Sequence, residues 1–332
     1  MYSFSKRQYN QKNIKMVAAG NEHMALVTEY GDLYMFGTGE HGRLGLGDEE
    51  NQKMPLMVQR ELFSGAFCRM VACGKKHTVV LTNTGKVYTF GSGLHGELGY
   101  KNETNRQLLP KKVESEIIDA NFMVMVAAGH GYTVAVSKNG HVFDWGYGVF
   151  GKLGQGNVEH KRVPQRIDPE LFLNEEVIFV AAGEDHMAAI TKKENLFTWG
   201  DGWFGQLGHD NEEKKLVPTM VKDIEKCKMV SCSRMQTVVV TEEKELWVCG
   251  SETEDKNEKR NVFEKKWDRA TVYACAGEKG LIAVTDNDTF WFLGHNVGQD
   301  AIQLDDVRQT LNICNTCLSR TMQSPFIHNY FN

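Results

Sequence analysis

Glycines are the residues whose spacing most invites a chemical reading. The stretch Phe36 to Gly47 reads FGTGEHGRLGLG and sets Gly37, Gly39 and Gly42 in the order GxGxxG, directly after the strand-like LYMF. In a dinucleotide-binding protein that turn opens a helix whose free N–H groups hold a pyrophosphate. Here RLGLGDEENQKMP follows, with two further glycines, a run of acids, a proline and no apolar residues at helical spacing. The same turn returns at Gly91, Gly93 and Gly96, at Gly146, Gly148 and Gly151, and at Gly200, Gly202 and Gly205. A cofactor site occurs once and a structural turn repeats, so these glycines are expected to shape loops, with no cofactor.

Other chemistry-bearing residues give a similar answer. His23, His77 and His186 recur at one position, where Tyr132, Gln236 and Gly280 stand in other copies, which predicts a side chain bonding loop backbone within its own unit. Cys73 and Cys232 fill a small position held elsewhere by Ala19, Ala128, Ala182 and Ala276, as packed thiols do. Cys314 and Cys317 have metal-ligand spacing, with His328 nearest downstream, but this is half a zinc site at best, so no metal is expected. The sequence has no GxxxxGK[ST] phosphate loop, HExxH zinc helix or GxSxG nucleophile elbow. A net charge of -5 over 332 residues argues against a nucleic-acid partner. No apolar run is long enough to span a bilayer, and MYSFSKRQYNQKNIK lacks the apolar core of a secretory signal. Eight scattered cysteines suit a reducing compartment, so an intracellular protein is expected, cytoplasmic or cytoskeleton-associated, with the nucleus as the alternative.

The elements that must position these loops follow from an internal repeat. VAAG at 17–20 recurs as VACG at 71–74 and VAAG at 126–129 and 180–183, then in worn form as VSCS at 230–233 and ACAG at 274–277. Successive spacings are 54, 55, 54, 50 and 44 residues. Each copy opens a β-branched run such as HTVVLT at 77–82, then a turn at Gly31, Gly85 or Asn139-Gly140, then a third strand ending in glycine. After the glycine loop a proline introduces a fourth strand, as in PLMV at 55–58 and PTMV at 218–221. A four-stranded unit at that period predicts an all-β fold, a β-propeller of antiparallel blades. The units span about 14–59, 68–114, 122–167, 177–222, 227–263 and 270–310 of a single domain, 1–332.

The pattern VAAGxxHTVVLTxxGxVYxFGxGxxGxLG, with its proline strand, resembles the regulator of chromosome condensation repeat family. That resemblance implies seven blades, so residues 1–13 and 311–332 are expected to join as a composite closing blade; six complete blades is the alternative. It also implies two functions. One is a non-catalytic protein-interaction scaffold within a larger assembly. The alternative is guanine-nucleotide exchange on a Ran-like small GTPase, although the even spacings leave little room for the β-hairpin wedge that activity uses in the family. A light-sensing branch carries tryptophan in GWRHT motifs, and the counterparts here, GNEHM, GKKHT, GHGYT and GEDHM, lack it.

Departures from the repeat mark candidate contacts. Between the second and third glycines stand Glu40-His41, Leu94-His95, Val149-Phe150 and Trp203-Phe204, increasingly apolar along the chain. Leu94, Val149, Phe150, Trp203 and Phe204 are therefore candidate partner-binding residues, or else they tuck against the neighbouring unit. In the fifth unit the glycine loop gives way to SETEDKNEKRNVFEKKWDR, whose Phe263 and Trp267 form a secondary candidate. A basic arm of Lys6, Arg7, Lys12 and Lys15 offers a modest contact to phosphate.

Overall fold

The computed structural model describes residues 14–102, 105–253, 259–277, 280–294 and 302–303. Six four-stranded antiparallel sheets follow one another along the chain, each a simple meander. Six is the count of the alternative reading; the segments assigned to a seventh, composite blade, 1–13 and 311–332, lie outside the described residues. The first strands are Ile14–Ala19, Cys68–Cys73, Met123–Ala128, Val177–Ala182, Cys227–Cys232 and Thr271–Ala276. Each packs on the next first strand, so these line the axis of the propeller. The fourth strands, Gln52–Met57, Arg106–Lys112, Lys161–Arg166, Lys215–Met220, Arg260–Trp267 and Ile302–Gln303, form the outer edges.

Local sequence accounts for these strands. The second strand of the second blade, HTVVLT, is buried along its whole length, because neighbouring blades cover both of its faces. A strand buried on both faces reads as a continuous apolar run rather than an alternating one. First strands end in Ala19, Cys73, Ala128, Ala182, Cys232 and Ala276, all buried, where the ring narrows and only small side chains fit.

One apolar cluster runs from Met16 in the first blade to Phe263 in the fifth. A second joins blades five and six, from Met229 to Leu293. A small third cluster holds Ala19 against Ile282, with Met24, Phe290 and Phe292, where the sixth blade meets the first.

Each glycine loop lies on the outer strand of the following blade. Gly96 shows why glycine is required: its φ is +88°, and a Cβ there would stand 2.6 Å from the Arg162 Cα.

Candidate partner-binding face

His23 pairs with Gly37 across the second and third strands of its blade. The loop after each first strand and the glycine loop after each third strand therefore emerge on the same face of the ring. The bottom layer of this face is a repeated hydrogen-bond relay between blades. His23 Nε2–H donates to Thr78 Oγ1 of the next blade (2.9 Å), and that hydroxyl donates back to the Arg43 carbonyl of the first (2.7 Å). His77 reaches Thr133 (2.9 Å), which donates to the Glu97 carbonyl (2.8 Å). His186 reaches Thr237 (2.8 Å), which donates to the Gln206 carbonyl (2.6 Å).

The histidines thus stitch adjacent blades, which corrects the expectation that they bond within their own. At the seam between blades three and four Tyr132 replaces histidine and donates its hydroxyl to the Gly183 and His186 carbonyls, both at 3.0 Å. Burial pushes His23 and His77 down to about 3 and His186 to about 4, because a charged imidazole would lose its hydration there.

The residue after the third glycine of each loop is Arg43, Glu97, Lys152 or Gln206, and all four side chains are buried. Arginine, glutamate, lysine and glutamine are ordinary surface residues, so their types alone do not mark this position in the sequence. The one available signal was a polar residue held between invariant loop glycines and a leucine, in GRLG, GELG, GKLG and GQLG. Arg43 pairs with Glu22 (3.2 Å) and Glu40 (2.9 Å). Lys152 Nζ pairs with Asp185 (2.5 Å) and lies 4.3 Å from the Tyr147 ring centroid. Burial draws the Lys152 ammonium below its ordinary value, against the opposing pull of Asp185.

Above this layer, Leu94, Phe150 and Trp203 are 49%, 41% and 51% exposed, on three successive blades. Val149 and Phe204 beside them are half-buried. The structure places the secondary candidates elsewhere. Phe263 is 5% exposed within the fifth blade's outer strand, its ring filling the space over Gly208, so it is a core residue and not a surface anchor. Trp267 is half-buried and meets Trp291 edge-on at 5.9 Å, with Arg269 over both rings. Cys314, Cys317 and His328 lie outside the described residues, as does most of the basic arm.

Among the described residues, His130, Glu184 and Asp185 bring donor atoms within 4.8 Å of one another. Basic side chains already hold both carboxylates: Glu184 faces Lys75 (3.5 Å), His130 (3.2 Å) and Arg234 (3.3 Å), while Asp185 faces Lys152. That surrounding charge competes with a metal ion, so the cluster reads as an ion-pair network. Among the described residues six cysteines are buried with no disulfide between them, and burial pushes the Cys68, Cys227 and Cys232 thiols up to about 12, which suppresses the reactive thiolate.

Comparison with known proteins settles the relationship. The family model described as RCC1-like domain matches residues 3–261. The chain belongs to the RCC1-like domain family. This RCC1-like chain is 34% identical over 242 residues to the ultraviolet-B receptor UVR8 of Arabidopsis thaliana, covering 72% of this chain and 53% of that protein. It is 33% identical over 234 residues to the E3 ubiquitin-protein ligase HERC2 of Homo sapiens, covering 69% of this chain but 5% of that protein. The matches thus span about half of the first relative and a small part of the second. Human WBSCR16 superposes with a TM-score of 0.75 at 21% identity, covering 87% of this chain and 78% of that one, which shows the shared fold. Yeast Prp20, solved in a complex with Kap60, gives 0.74 at 21% identity over 86% of this chain and 71% of that one. No helix among the described residues is long and apolar enough to cross a membrane.

Proposed function

We propose that this RCC1-like propeller is a non-catalytic scaffold, a subunit or adaptor that holds a protein partner on its loop face. The observation that carries the reading is the exposure of Leu94, Phe150 and Trp203 at the tips of one repeated loop on three adjacent blades. Large apolar side chains clustered on one face mark interaction surfaces, and tryptophan is among the commonest anchors of binding energy. The buried relay beneath keeps the loops fixed, so little ordering cost attaches to binding. The cytoplasm and cytoskeleton are the compartments in which a partner is sought first.

Affinity capture with the folded wild type and a Trp203→Glu/Phe204→Glu variant tests this. The variant is expected to melt at the wild-type temperature and to lose the proteins the wild type retains. Retention of the same proteins by the variant would remove Trp203 and Phe204 from the site. Capture of a small GTPase that is released by added nucleotide would instead favour the exchange-factor reading.

A further inference from the structure

Where the second and third blades meet on the loop face, Tyr147 is surrounded by nitrogen bases. The ring centroids of His95, His160 and His130 lie 4.4, 4.8 and 6.1 Å from that of Tyr147, and Lys152 Nζ lies 4.3 Å away. His95 and His160 meet edge-on at 5.7 Å, and Arg162 follows two residues after His160. Leu94 adjoins His95, and Phe150 stands three residues after Tyr147.

The acids of this region are already engaged. Glu97 turns inward to accept the His95 backbone N–H at 2.7 Å. Glu184 faces His130, Lys75 and Arg234, Asp185 faces Lys152, and Glu159 pairs with Lys161 at 2.7 Å. Among the described residues no carboxylate pairs with the His95 or His160 ring, although His160 is exposed.

We propose that this boundary receives an acidic segment of a partner protein, its carboxylates facing His95 and His160 and an apolar side chain resting on Leu94 or Phe150. The proposal rests on the loop face being the docking face and names the chemistry of what docks there. Two imidazoles that gain charge beside a carboxylate select an acidic segment, and the adjoining Leu94 and Phe150 select one that also carries an apolar residue.

A pH dependence follows. Burial, with His160, His130, Lys152 and Arg162 as positive neighbours, holds His95 below its ordinary value. Burial, with Lys152 and Arg162, does the same to His160, whose Nδ1 accepts the Gly148 N–H at 3.3 Å. Both rings are therefore largely neutral at pH 7. A bound carboxylate reverses the sign of their surroundings, so binding takes up protons and tightens as pH falls through the histidine range.

The probe is a fluorescein-labelled peptide, Glu-Glu-Phe-Glu-Glu-Phe-Glu-Glu, compared with its all-glutamine counterpart by fluorescence anisotropy at pH 7.5 and 6.0. The glutamate peptide is expected to bind about tenfold more tightly at pH 6.0, and the glutamine peptide not to bind. His95→Gln/His160→Gln is expected to bind weakly and equally at both pH values. Should that variant misfold, His95→Lys/His160→Lys supplies fixed charge and is expected to bind tightly at both. Equal binding at the two pH values by wild type, equal binding of the glutamine peptide, or an undiminished pH dependence in the His95→Gln/His160→Gln variant overturns the proposal. Failure of the peptide while Trp203→Glu/Phe204→Glu still abolishes partner capture removes the acidic segment and leaves the docking face. Peptide binding that depends on His95 and His160, with capture unaffected by the Trp203 variant, does the reverse.

Discussion

His77 shows how a residue can be conspicuous in the sequence and still conceal its role. Histidine's recurrence after three of the six small-residue motifs was legible, but the partner of His77, Thr133, lies 56 residues on, in the next blade, and no local spacing points to it. The relay requires a neutral imidazole that donates through Nε2. His23, His77 and His186 have folded values of about 3, 3 and 4, below the ordinary 6.5, so the stability they contribute is fully present above pH 6.5 and is lost as pH falls towards those values. Burial raises Glu97 and Asp144, which act in the opposite direction: their contribution is present at low pH and lost as pH rises through the raised values. Below pH 6.5 the three histidines are expected to dominate until the ordinary carboxylate range is reached. Urea unfolding between pH 6.5 and 5 should show stability falling by roughly 1 kcal/mol per histidine per pH unit at most. Conversion of all three histidines to glutamine should flatten that slope; an unchanged slope would place the acid sensitivity elsewhere.

At the scale of the element, the blade was legible because each of its parts carries a backbone signal. β-branched runs gave the strands and glycines gave the turns. Less legible was which loops would be covered. Phe263 looked exposed amid lysines, yet the strand Arg260–Trp267 turns it inward over Gly208. Leu94, Phe150 and Trp203 stay outside because their loops sit on the next blade's outer strand through glycines such as Gly96 and leave the loop tips facing solvent. The same packing explains the outer strand of the first blade, Gln52–Met57. No loop of a preceding blade covers it among the described residues, and Met54, Leu56 and Met57 are exposed. Gly96→Ala forces an L-residue to φ +88° and presses a methyl on the Arg162 backbone. The substitution should cost about 2 kcal/mol in urea unfolding; a neutral result would show that the seam between blades two and three yields freely.

Across the whole molecule, composition excluded little, and the repeat carried most of the fold. The blade count rested on segments whose sequence matches the repeat weakly, and six sheets are described. The ring's two faces differ in what they present. The face opposite the loops carries hairpin turns and connecting segments, with exposed apolar side chains of its own: Tyr30 at 63%, Phe67 at 44%, Phe122 at 45% and Leu173 at 57%. The loop face instead brings Leu94, Phe150 and Trp203 into one repeated row beside a cluster of histidines. Fold alone does not distinguish these faces, since propellers host unrelated functions, and both expose apolar side chains; the histidine cluster beside the row sets the loop face apart. A photo-crosslinking residue, p-benzoylphenylalanine, placed at Trp203 and separately at Tyr30 tests that distinction most directly when the partner captured by the wild type is added. The account predicts a covalent adduct from position 203 and none from position 30. An adduct from position 30 alone would contradict it.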